Sequence, residues 1–194
     1  MKSEEERPMR ADARRNRERI LKAARQVFAE EGAAAQMEPI ARRAGVGVGT
    51  LYRNFPTRRA LIGAMRAEWT AERAANLEQA LATADPWVAI TEYVHRSAEA
   101  MSRDAGLREV FPDLPAKETT PEAEADFRDR LSVLIRRAHD AGVLRPEVTA
   151  ETYNGMMVGL GAAITAGTDW RLAAEILLAG LRAADPLSPA ARTR

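Results

Sequence analysis

The chain has 194 residues, enough for one large or two small domains, and 46% of them are apolar, so a core can form without covalent staples. It contains no cysteine, which excludes disulfides, thiolate metal sites and cysteine nucleophiles and fits a reducing cytoplasm. The net charge of +1 hides a split: residues 1–66 hold fifteen Lys or Arg against eight Asp or Glu, while the remainder is acidic by six charges. A basic end beside an acidic one suits a chain that meets a polyanion at one end, and a charged solvated helix surface gives the same count.

The first ten residues carry Lys2, Glu4, Glu5, Glu6, Arg7 and Arg10 around no apolar core, so no signal peptide is expected there. No apolar run approaches the roughly 20 residues of a membrane helix. The expectation is a soluble, cytoplasmic protein with no membrane partner.

Strand formers are sparse and Ala, Leu, Arg and Glu dominate, which predicts an all-α fold of about nine helices. Residues 1–11 read as a flexible basic arm. Asp12 is placed to cap a first helix over 13–31, whose Ile20, Leu21, Ala24, Val27 and Phe28 form one apolar stripe, and Gly32 stops it. A short helix over 37–44 has Pro39 in its first turn and ends at Gly45. A third spans 48–54, and Pro56 prevents its continuation. Thr57 caps a long helix to about Leu81.

Beyond Ala84, Asp85 and Pro86 read as cap and first residue of a helix to about Ser102. A short helix is predicted over 105–110 and a loop over 112–120. Thr120 and Pro121 repeat the cap signature and open a helix ending at Gly142. Thr149 caps the next, to Ala166 and Gly167, and Asp169 caps the last, to about Ala184. A loose tail follows over 186–194.

Two short helices joined by a glycine turn, the second ending at an aromatic and a proline, form a helix-turn-helix pattern. Met37, Ile40 and Ala41 can face Ile20, Ala24, Val27 and Phe28, with Val46 and Leu51 closing a small core. Val48, Gly49, Thr50, Arg53 and Asn54 then point outward. Arg and Asn can reach base edges or phosphates, Val and Thr can touch a thymine methyl, and glycine allows close approach.

The runs 19–24 (RILKAA), 28–32 (FAEEG), 40–46 (IARRAGV) and 49–58 (GTLYRNFPTR) closely resemble the DNA-binding domain of the TetR family of bacterial regulators, over about residues 12–65. The resemblance implies a helix-turn-helix domain over 12–56, with a reading unit at 36–55, and a helical regulatory and dimerisation domain over 57–185. It further implies a homodimer, usually a repressor, that binds a palindromic operator in double-stranded DNA and is loosened by a small-molecule effector. By the same resemblance, Thr50 and Tyr52 contact phosphates, and Arg58 stands where the family often has a phosphate-binding lysine. Gly47 sits where Ser is common and Val48 where Lys is common, so base preference differs. The stretch 32–37 is one residue short of the family pattern and lacks its usual Thr, which leaves Gln36 as cap and phosphate contact.

The eighth helix carries Tyr153, Met156, Met157, Leu160 and Ile164 beside three glycines. The ninth, with Trp170, Leu172, Ile176, Leu177 and Leu181, is apolar on most sides. A helix apolar nearly all round must be covered on two faces. A symmetry mate is the simplest cover, so Tyr153, Met157, Leu160, Ile164, Trp170, Ile176, Leu177 and Leu181 are the candidate dimer interface, an intramolecular core being the alternative. Trp87, Tyr93, Met101, Phe111, Phe127 and Met156 are candidates to line a pocket for a largely hydrophobic effector, against the plainer reading of ordinary core.

The residues allow two other readings. The pair His139 and Asp140, with His95, is reminiscent of helical metal-dependent phosphohydrolases, but that chemistry needs more ligands than this chain offers. His139 instead suits the end of its helix, where a cation favours the dipole. No phosphate loop, zinc spacing or base-activated nucleophile is present, so no enzyme, metal or cofactor is expected. A helical interaction module without DNA binding is the remaining alternative, which the basic reading region opposes.

Overall fold

Side-chain caps decide where most of these helices begin, because the first backbone N–H groups of a helix lack internal partners. The computed structural model describes residues 6–104 and 121–183, and the chain divides into two compact units. The expected short helix at 105–110, the loop at 112–120, Phe111 and the tail at 186–194 lie outside the described residues. Eight α-helices and one 3₁₀ turn are found among the described residues.

The first unit takes residues 6–70 with Arg103 and Asp104. It comprises α1 (Glu6–Glu31), a 3₁₀ turn (Gly32–Ala34), α2 (Met37–Ala44), α3 (Val48–Asn54) and the start of α4 (Arg58–Ala82). Helix α1 begins seven residues earlier than the cap pattern predicts. Asp12 therefore lies inside the helix, paired with Arg15, and caps nothing. The cause is local: Arg- and Ala-rich sequence propagates a helix well, and pairs such as Arg14 with Glu18 at 3.6 Å add support. Gly32 takes a positive φ of 57° and ends α1, as expected, and it is also the first residue of the 3₁₀ turn. Thr57 does cap α4, accepting from Ala60 N–H at 3.0 Å.

One core holds this unit together. Ile20, Ala24, Val27 and Phe28 of α1 meet Ile40 and Ala41 of α2, Leu51 and Phe55 around α3, and Leu61 and Met65 of α4, all essentially inaccessible to solvent. At its edge, Arg25 donates to Glu68 at 2.9 Å and lies 3.0 Å from the carboxylate of Asp104, which is 3% exposed. A carboxylate so placed needs its cation, since an unpaired charge in an interior costs several kcal/mol, on the order of 3–5 when one partner is removed.

The second unit takes residues 71–102 and 121–183. It contains the rest of α4, most of α5 (Pro86–Arg103), then α6 (Pro121–Asp140), α7 (Ala150–Thr165) and α8 (Trp170–Leu181). Three caps act as the sequence indicates. Asp85 accepts from Trp87 and Val88 N–H at 2.8 and 2.9 Å, Thr149 from Thr152 at 3.1 Å, and Asp169 from Arg171 and Leu172 at 2.8 and 3.3 Å. Arg137 of α6 donates to the carbonyls of Leu81 and Thr83, both at 2.7 Å, and so closes the far end of α4. Helix α8 stops at Leu181, not near Ala184. There the backbone leaves the helix to pair with residues 143–145: Arg145 N–H donates to Leu181 O and Ala183 N–H to Val143 O, each at 3.0 Å.

At the centre of this unit Tyr93 and Tyr153 stack with ring centroids 6.1 Å apart. Burial pushes both phenols above their ordinary range, Tyr153 further, while Arg73 and Ser97 partly offset the effect at Tyr93. Because the folded-state values are raised, the stability these groups provide is complete below about pH 10 and is lost as pH climbs beyond it. Denaturant midpoints measured from pH 8 to pH 11.5 should fall steeply above pH 10. The fall should be shallower in Tyr153→Phe, with stability at pH 7 changed by no more than about 1 kcal/mol.

Candidate nucleic-acid interface

Seven residues make α3 too short to persist alone, so its position is imposed by what flanks it. Before it, Gly45 adopts φ +62°, and its N–H and that of Val46 return to the carbonyls of Arg42 and Ala41, each at 3.1 Å, closing α2. Arg19 of α1 grips the turn from outside, donating to Gly45 O at 3.0 Å. After it, Phe55 plugs into the core with the Arg17 guanidinium 4.6 Å above its ring. Leu51, fully buried, fixes which face of α3 turns inward.

The opposite face is open. Val48 is 41% and Tyr52 40% exposed, large values for apolar and aromatic side chains, and Gly47, Gly49 and Arg53 are exposed beside them. A Cβ at Gly47 or Gly49 would meet nothing within 4 Å, so here the backbone itself is approachable. Thr50 is half-buried. Its hydroxyl accepts from Arg53 at 2.9 Å, and Asn54 spends one amide N–H on Thr50 O at 2.8 Å. Of the α3 residues expected at DNA from the sequence and the resemblance, Val48, Tyr52 and Arg53 present exposed surface, and Thr50 and Asn54 lie at its margin.

Two expected participants have structural occupations. Gln36 stands at the N-cap position of α2, yet its side chain does not cap. Its amide donates back to Ala34 O at 2.9 Å, because a side chain two methylenes long reaches past the N–H groups that Ser or Asp would meet. Arg58 donates to Ala33 O at 2.9 Å and Ala35 O at 3.3 Å and lies 5.2 Å over the Phe28 ring, tying the 3₁₀ turn to the start of α4. The sequence reading missed a basic cleft of about 280 Å³ in the same unit, lined by Arg19, Lys22, Gln26, Arg43 and Gly45. Arg43 holds Glu30 at 2.5 Å and keeps its carboxyl below the usual range.

In the second unit, a cavity of about 430 Å³ is lined by Arg73, Glu124, Phe127, Arg128, Leu131, Ala150, Glu151 and Asn154. Of the six residues expected at an effector pocket, Phe127 lines it. Tyr93 is in the core, Trp87 and Met101 pack half-buried against that core, and Met156 is 38% exposed. A search for apolar and methionine side chains could not find Arg73, Arg128 or Asn154, because polar walls carry no periodic signal.

On α7 and α8, Tyr153, Met157, Leu160, Ile164 and Leu181 are buried within the chain's own core, and Trp170 and Leu177 are partly covered. Ile176 is 64% exposed, joined by Val158 at 59% and Leu172 at 57%. His139 is 3.1 Å from Arg145 O and His95 3.1 Å from Glu175. Among the described residues no three His, Asp or Glu are grouped to hold a metal, and no helix is long and apolar enough to cross a membrane.

Comparison with known proteins points one way. Residues 20–65 match the family described as bacterial regulatory proteins, tetR family, and residues 85–183 match the SbtR-like transcriptional regulator C-terminal domain. The structure is similar to the TetR transcriptional regulator SCO0520 from Streptomyces coelicolor (30% identity, 87% of this chain and 99% of that one, TM-score 0.66). It is also similar to a TetR regulatory protein from Mycobacterium vanbaalenii (33% identity, 90% and 99%, TM-score 0.65). In sequence it is 34% identical over 119 residues to the HTH-type transcriptional repressor KstR of Mycobacterium tuberculosis. That match takes 57% of this chain and spans about half the length of KstR, 54%.

Gly45→Ala tests the turn. A Cβ at φ +62° would stand 2.7 Å from the Arg19 guanidinium, and the left-handed backbone alone costs roughly 1–2 kcal/mol. Urea titration should show a loss of that size, while Gly49→Ala should unfold at or above the wild-type midpoint.

Proposed function

Because the chain belongs to the TetR family of bacterial transcriptional regulators, we propose that it acts as a homodimeric repressor that reads a palindromic operator through α3 and is released by a small-molecule effector. The observation that carries the DNA-reading part is the exposed face of α3, where Val48, Tyr52 and Arg53 stand beside a bare backbone at Gly47 and Gly49 in a basic unit. Apolar and aromatic groups with one guanidinium suit base edges and phosphates in a major groove. Arg53 reads a base edge once it leaves Thr50, and Tyr52 donates its hydroxyl to a phosphate. Gln36 and Arg58 contribute through the turn they hold, with Arg58 keeping N–H donors to spare for a phosphate.

The repressor assignment is supported by the name of the KstR relative, and the effector by the cavity in the second unit. The dimer is supported by Ile176, Leu172 and Val158, which form more exposed apolar surface than two helices of a monomer leave without purpose. Two-fold pairing would set the reading helices for half-sites about 34 Å apart, or a multiple of that distance. A protein built for this work resides in the cytoplasm with the DNA.

Selection from random double-stranded DNA is the direct test. A palindromic consensus bound with strong salt dependence is expected, and enrichment of no sequence would refute operator reading. On the selected site, Arg53→Ala should cost about 1–3 kcal/mol and relax preference at one position per half-site. Tyr52→Phe should weaken all sequences alike, by about 1 kcal/mol. Ile176→Glu should convert a dimer into a monomer in light scattering without lowering the unfolding midpoint of the isolated chain, and a monomeric wild type would dispose of the dimer.

A further inference from the structure

The basic cleft of the first unit gathers three cations and neutralises one of them. Arg19, Lys22 and Gln26 stand at i, i+3 and i+7 on α1 and so share one exposed strip of that helix. Arg43, from the last turn of α2, and the backbone of Gly45 supply the other side, and the buried Ala23 and Ala44 complete the lining. Arg43 is answered by Glu30 at 2.5 Å. Arg19 donates one N–H to Gly45 O at 3.0 Å and keeps its remaining donors. Lys22 and Gln26 have no hydrogen bond or ion pair among the described residues. Like charges gathered in a concavity of about 280 Å³ focus a positive potential that an anion relieves.

The lining also narrows the kind of anion. It has no aromatic ring and no exposed apolar side chain, the large exposed ones described in this unit being Val48 and Tyr52 on α3. A nucleobase or an acyl chain finds nothing here to stack on or bury against, whereas a phosphate needs only charge and N–H donors. Gly45 lies two residues before Gly47, the N-cap of α3, so the cleft opens at the turn from which that helix departs. We propose that the cleft seats one backbone phosphate of double-stranded DNA, with Lys22 and the remaining N–H donors of Arg19 on its oxygens and the Gln26 amide beside them. DNA as the source of the phosphate rests on the reading of DNA by α3 proposed above. Arg19 then joins two tasks, one N–H fixing the turn and the others holding the strand, so the seated phosphate sets where α3 stands in the groove. The ammonium of Lys22 is a compact point charge and the guanidinium of Arg19 a directional fork, so Lys22 contributes affinity and Arg19 register.

Lys22→Gln carries the test, because Lys22 is exposed and its neutralisation leaves the core of the unit intact. Fluorescence anisotropy of the full chain, between about 50 and 200 mM salt, should show binding to the selected operator and to a random-sequence duplex weakened alike, by about threefold or more, with the selected consensus unchanged. The slope of log affinity against log salt should flatten by about 0.9, the change expected for one phosphate, and Lys22→Arg should restore it. Ethylation interference should find one phosphate per half-site whose modification weakens the wild type and leaves Lys22→Gln unaffected. If DNA is bound and Lys22→Gln changes neither affinity nor slope, the proposal is overturned and the reading by α3 stands. If no DNA is bound, pyrophosphate becomes the probe. Saturable shifts of the Gly45 amide signal in ¹H–¹⁵N spectra, lost in Lys22→Gln, then support the phosphate site and refute DNA as its source, and their absence overturns the site as well.

Discussion

The reversal between α2 and α3 passes through one left-handed residue, Gly45, and the direction in which α3 leaves that turn determines what it can reach. Gly45 frees the chain to turn, but it does not hold α3 in place. Leu51 and Phe55 do that by filling the space between α1 and α4, and Arg19 and Arg17 clamp the two ends of the segment from α1. A seven-residue helix has almost no stability of its own, so every contact made by its outer face borrows rigidity from this inner one. The basic residues of α1 therefore serve two ends. They raise the local positive charge, and at least two of them brace the turn and the aromatic plug behind the exposed face of α3.

The same division of labour explains what could be read from the residues alone. Caps and glycines act within four residues of where they sit, so Thr57, Asp85, Thr149, Asp169, Gly32 and Gly45 announce helix boundaries correctly. Asp12 misleads because an acidic residue inside a helix and one at its start look alike when the preceding residues are also good helix formers. The end of α8 was out of reach for a different reason. Its backbone pairs with residues 143–145, a meeting set by the tertiary fold and by no local pattern.

At the sites, type was more legible than occupation. That Arg53 and Tyr52 face outward follows from the period that buries Leu51 and Phe55. That Arg58 is engaged with two carbonyls, or that Gln36 folds back on Ala34, depends on distances across the 3₁₀ turn that no spacing encodes. In the second unit, hydrophobic pattern finds the helices and their core, whereas the cavity is bounded by arginines and glutamates that in sequence resemble any solvated face. Nothing in the sequence around Arg73 shows that it lies over Phe127 and beside Tyr93.

Gly47 and Gly49 add a consequence for how such a protein changes over generations. Neither glycine is held by a positive φ, and neither has a neighbour where a side chain would grow. Substitution there leaves the turn, the plug and the small core as they are, while placing new atoms on the surface that faces outward. If α3 reads DNA as proposed, recognition can drift at these two positions at little cost to folding, and a lineage carrying this chain can acquire new target sequences without first acquiring a spare margin of stability.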